Sequence, residues 1–107
     1  MSSFDDRKRA AEQKFVLSAE QEFKLDARRN KLLGLWVAEL IGKSGKDADA
    51  YAVEVVVSDM EEPGDEDVFR KVKQDLIAHG IEMSDIEIRQ RMDVLMTEAR
   101  AQIIDEA

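Results

Sequence analysis

The sequence predicts an all-α protein, a four-helix bundle preceded by a flexible N-terminal segment. Three observations point there. Apolar residues recur at three- and four-residue spacing over long windows, as one face of an α-helix requires. Only one proline and five glycines interrupt the 107 residues, and most fall where such a window ends. Two capping boxes, Ser18 with Gln21 and Ser84 with Glu87, stand at the starts of two windows.

The first bundle helix is expected from Ser18 to Ile41, stopped by Gly42. Roughly 23 residues at about 1.5 Å each give about 35 Å of helix. Its first half is one-sided, with Phe23 and Ala27 expected to face inward. Its second half (Leu32, Leu33, Leu35, Trp36, Val37, Ala38, Leu40, Ile41) is apolar almost all round, as suits the centre of a bundle.

Asp47 is expected to cap a second helix reaching about Met60, with Tyr51 and Val55 as its apolar content. The run Val53 to Val57 is rich in β-branched residues that favour strands. A lone strand would have no partner here, so helix is the better reading. Pro63 and Gly64 make the next turn, and Asp65 is expected to cap a third helix carrying Glu66 and Asp67 in its first turn, where the helix dipole favours acids. Phe69, Val72 and Leu76 form its stripe and Gly80 ends it. The last helix opens at the Ser84–Glu87 box and carries Ile88, Met92, Leu95, Ala99 and Ile103 on one face.

A chain of this length is expected to form one domain, with residues 18–107 as the bundle and residues 1–17 as a separate segment. The formal charge of −8 repels phosphate backbones and anionic lipid headgroups, so nucleic acid is a poor partner. The absence of cysteine removes disulfides, thiolate chemistry and cysteine metal ligands, and suits a reducing cytosol. The stretch from Leu32 to Ile41 is too short to span a bilayer, and residues 1–14 hold no secretory apolar core. A protein without direct membrane insertion is expected.

Candidate sites are few. His79 is the only histidine, and its place one residue before Gly80 suits a donor at a helix C-terminus better than a metal ligand or catalytic base. Glu61, Glu62, Asp65, Glu66 and Asp67 lack the alternating ligand spacing of a calcium loop, and read as a solvated turn running into an acidic first helical turn. Arg28, Arg29 and Lys31, with Trp36 nearby, offer a possible contact for an adenine nucleotide. Without a glycine-rich phosphate loop they read more simply as a solvated face beside a core tryptophan. Met92 and Met96 read as gap-filling core rather than as a pliable groove. No metal site, cofactor or catalytic group is expected.

The N-terminal segment is different. Residues 1–17 carry Arg7, Lys8, Arg9 and Lys14 against Asp5, Asp6 and Glu12, a net +1 that leaves −9 for the remainder. Ser3 and Asp6 resemble a capping pair, and Phe4, Ala11 and Phe15 fall near one face if the segment is helical. A helix this short is marginal alone, so the segment is expected to be disordered or only partly helical when free and helical when docked. Aromatic residues among charges, with no core to enter, point to a binding role.

The stretches FDDRKRAAEQKF (Phe4 to Phe15), ARRNKLLGLWVAELIG (Ala27 to Gly42) and EEPGDEDVFRKV (Glu61 to Val72), in this order and spacing, resemble the zeta subunit family of alphaproteobacterial F-type ATP synthases. That resemblance implies a non-enzymatic inhibitor of ATP hydrolysis, cytoplasmic and held peripherally at the inner membrane through the synthase. It implies insertion of the N-terminal segment between the alpha and beta subunits of the catalytic head, with gamma as a further contact. Phe4, Asp5, Asp6, Arg7, Glu12, Lys14 and Phe15 match the family pattern, while Lys8 stands where an acid is common and Ala11 where a phenylalanine is common. Phe4 and Phe15 are the expected anchors, and Arg7, Lys8, Arg9 and Lys14 the steering charges. The alternative is a small helical nucleotide-binding or regulatory module using Arg28, Arg29 and Lys31.

Overall fold

A computed structural model of the chain, which describes residues 17–60 and 64–106, contains four α-helices: α1 (Ala19–Leu40), α2 (Gly45–Ser58), α3 (Glu66–Ala78) and α4 (Asp85–Glu106). Residues 1–16 of the expected N-terminal segment lie outside the described residues, as do Glu61, Glu62 and Pro63.

Both capping boxes form. Ser18 Oγ accepts from the Gln21 N–H at 3.2 Å while the Ser18 N–H donates to Gln21 Oε1 at 3.0 Å. Ser84 and Glu87 repeat the arrangement at 3.1 and 3.4 Å. At the C-terminus of α1, the Lys43 N–H reaches the Ala38 carbonyl at 2.8 Å and the Gly42 N–H reaches that of Glu39 at 3.2 Å. This double closure needs a left-handed residue, supplied by Gly42 at φ +83°. Ile81 and Gly80 close α3 in the same way onto the Leu76 and Ile77 carbonyls.

The start of α2 corrects the sequence reading. Ser44, not Asp47, occupies the cap position, and the helix begins at Gly45 (φ +55°), three residues earlier than a cap at Asp47 would set it. Asp47 sits in the first turn, where its charge suits the dipole without capping. Asp65 does hold the cap position of α3, but its side chain makes no capping bond. The run Val53 to Val57 is helical.

α1 is the central element, packed most extensively against α2 and next against α4. Leu33, Val37, Tyr51, Val55, Val72, Leu76, Ile88 and Met92 meet in the main core. A smaller cluster of Leu25, Ala99 and Ile103 joins the first half of α1 to the end of α4, with Leu17 and Met96 against it. Every residue of the expected α4 stripe is buried. Gly34 allows the α1–α2 contact: a Cβ there would lie 2.6 Å from Ala52 Cα.

The inward face of early α1 is a second correction. Phe23 is 62% exposed, whereas Leu25, Arg29 and Asn30 point inward. Phe23 lies two residues before Leu25, about 200° round a helix that turns about 100° per residue. Once Leu25 and Leu33 face the core, Phe23 must face outward.

Candidate functional site

The three basic residues expected to cluster are led to different surroundings. Arg28 crosses to α4, where Nη1 donates to Gln102 Oε1 at 2.7 Å and Nη2 pairs with Glu106 at 2.8 Å. Arg29 is 2% exposed, which corrects its reading as part of a solvated face. Its Nη2 donates to Asp65 Oδ1 at 2.7 Å and its Nε to Asn30 Oδ1 at 2.7 Å. Lys31 is exposed on the outer side of α1. Trp36 packs against the core with the Arg91 guanidinium 5.0 Å from its ring. Residues Phe4, Asp5, Asp6, Arg7, Lys8, Arg9, Ala11, Glu12, Lys14 and Phe15 all lie outside the described residues.

His79 closes α3. Its Nδ1 lies 2.9 Å from the Asp75 carbonyl, which can only accept, so the proton sits on Nδ1. Asp75 also accepts from the Tyr51 hydroxyl at 2.7 Å and from Lys71 Nζ at 3.1 Å. Burial, then the bond to Asp75, pushes the Tyr51 hydroxyl far above its ordinary pKa, so it stays a donor. Among the described residues, no group of three His, Cys, Asp or Glu side chains is placed to hold a metal ion.

The feature that sequence reasoning missed is a cleft of about 320 Å³ where α1, the end of α2 and the start of α3 converge. Asp26, Asp59 and Asp65 line it, Phe23 and Met60 stand exposed at it, and Asn30, only 1% exposed, forms its floor. Asn30 Oδ1 takes the Arg29 Nε–H, which fixes the amide and leaves the buried Nδ2 with no partner among the described residues. An unmatched buried donor costs about 1 to 3 kcal/mol, so the cleft suits an occupant bearing an acceptor. The carboxylates also crowd one another. Burial, then repulsion from Asp59, raises the Asp26 pKa; Arg29 opposes this, and Asp65 and Glu22 add to it. No sequence motif marks this site, because its acids come from three separate elements and its floor is a polar residue on an otherwise apolar face.

Among the described residues no helix is long and apolar enough to cross a membrane. A family model described as ATPase inhibitor subunit zeta matches residues 1–102. A solved structure, a solution NMR structure of a protein 53% identical to this chain, superposes with a TM-score of 0.71 and covers 80% of this chain and 98% of its own. No curated protein matches.

Proposed function

The chain belongs to the ATPase inhibitor subunit zeta family, and from that premise we propose that it blocks ATP hydrolysis by inserting residues 1–17 between an alpha and a beta subunit of the F-type ATP synthase catalytic head. The observation that carries this reading is the extent of the family match, which begins at residue 1 and so includes the charged, aromatic N-terminal segment as well as the bundle. The bundle supplies a platform. The Ser18–Gln21 box fixes where the helical body begins, and Leu17 packs on the Leu25, Ala99 and Ile103 cluster just before it.

In this mechanism the body acts as a holder, and the synthase keeps all the catalytic groups. Ordering a segment on binding subtracts roughly 2 to 5 kcal/mol from its contact energy, so apolar anchors must exceed that cost. Phe4 and Phe15 are those anchors, with Arg7, Lys8, Arg9 and Lys14 steering the approach and setting register. Lys8 and Ala11 replace an acid and an aromatic of the family pattern, so the anchoring rests on the two phenylalanines. A protein acting this way works in the cytoplasm at the membrane-bound synthase. The inhibitory reading is preferred to nucleotide binding because the Arg28 and Arg29 guanidiniums already hold Glu106 and Asp65.

The test is Phe15→Ala, with binding to the purified catalytic head followed in real time. We expect dissociation about tenfold faster or more, with association little changed. Unchanged affinity would remove Phe15 as an anchor and with it the proposed insertion geometry.

A further inference from the structure

We propose that the acidic cleft between α1, α2 and α3 is a docking site for an arginine-bearing segment of the catalytic head, a contact made by the bundle itself and separate from the N-terminal segment. The choice of partner rests on the inhibitory reading above. The chemistry of the occupant rests on the cleft.

Three properties of the cleft select that chemistry. Its acids are not all committed: Asp65 pairs with Arg29, but Asp26 and Asp59 form no ion pair among the described residues. Burial and the nearness of Asp59 raise the pKa of Asp26, so a cation entering between the two relieves a repulsion the free protein sustains. Beneath them Asn30, 1% exposed, holds a donor with no acceptor among the described residues. At the rim Phe23 and Met60 are 62% and 61% accessible, and Ala27 and Val56 also line the cleft.

Simpler occupants meet only part of this demand. A phosphate is repelled by the carboxylates, and among the described residues no three acids are placed to hold a metal ion. A small free amine answers the carboxylates but brings no acceptor for Asn30. An arginine within a protein segment answers all three. Its planar fork matches carboxylates, and its aliphatic stem covers apolar surface such as Phe23 and Met60. The backbone of the same segment supplies a carbonyl for the Asn30 Nδ2–H.

The cleft also lies on the part of the bundle that inhibition brings close to the head. Its α1 residues, Phe23 to Asn30, follow Leu17 by six to thirteen positions, about 9 to 20 Å along the helix at about 1.5 Å per residue. Once the segment before Leu17 is held at the head, tethering raises the concentration of the cleft at the head's surface into the millimolar range. A contact too weak to form alone then adds to the whole.

The first test compares binding of the full-length wild type and an Asp26→Asn, Asp59→Asn double variant to the purified catalytic head across a range of salt concentrations. Asp65 is left in place because it holds the buried Arg29. The substitutions remove repulsion rather than support, and circular dichroism checks that helicity is kept. Affinity is expected to fall about tenfold with a shallower salt dependence, whereas Phe15→Ala should keep the wild-type salt dependence. Unchanged affinity and salt dependence in the double variant overturn the cleft alone. A wild type that does not bind the head overturns the inhibitory reading, and the proposal with it. The second test identifies the occupant. The chain has no cysteine, so Met60→Cys gives a single thiol at the rim for a benzophenone label. Photocrosslinking to a head segment that contains arginine is expected. Crosslinks confined to this chain or to a second copy, to a head segment without a basic residue, or none at all, overturn the proposal.

Discussion

At the residue scale, Arg29 carries the most information. Its guanidinium is buried, while its partner Asp65 is about half exposed, so the two halves of the pair are not equivalent. Removing the carboxylate leaves a buried cation with only the Asn30 oxygen, and we expect Asp65→Ala to cost roughly 3 kcal/mol, the low end for breaking a buried pair. Arg29→Met leaves the Asp65 carboxylate in solvent but orphans the buried Asn30 oxygen, and should cost about 1 to 3 kcal/mol; urea denaturation of the two variants compares the losses. Tyr51→Phe should cost about 0.5 to 1.5 kcal/mol by the same measurement, since Asp75 keeps Lys71 when the phenol is lost. Asp26 gives a pH signature. Its folded-state pKa is raised, so between its unfolded and folded values the native state holds a proton the unfolded chain has lost, and stability falls as pH rises through that window. Asp26→Asn should therefore match the wild type in strong acid and exceed it near neutrality. The difference stays small because the carboxylate is largely solvent-screened, and denaturation midpoints across about pH 3 to 7 read it.

At the element scale, the helices were largely legible because capping and stopping are local chemistry. The Ser18 and Ser84 boxes and the glycines at 42 and 80 need only neighbours within a few residues, and all four act as expected. The α4 stripe was legible because the buried positions coincide with its apolar ones. Early α1 misled because two of its inward positions, Arg29 and Asn30, are polar, so apolar content pointed to Phe23 instead. The opening of α2 misled because Ser44 makes no side-chain bond and Asp47 resembles a cap in sequence. Gly34 marks a packing constraint that a helical pattern cannot reveal, namely the approach of the Ala52 backbone. Gly34→Ala gains about 1 kcal/mol in helix propensity, but overpacking costs typically 1 to 3 kcal/mol. Because a neighbouring Cα leaves no side chain to move aside, we expect net destabilisation, seen as a lower urea midpoint.

At the scale of the whole molecule, the fold follows from one long central helix flanked by three partners, an arrangement readable from apolar content alone. The acidic cleft was not, since it exists only once Asp26, Asp59 and Asp65 are folded together. The N-terminal segment poses the opposite case: its proposed role is argued from sequence and family alone. The most direct measurement is ATP hydrolysis by the purified catalytic head of an F-type ATP synthase, titrated with the full-length protein and with residues 18–107, the helicity of each confirmed by circular dichroism. The account predicts that the full chain inhibits and the equally helical truncated bundle does not. Equal inhibition by both would contradict it, placing the inhibitory surface on the bundle rather than on the segment that precedes it.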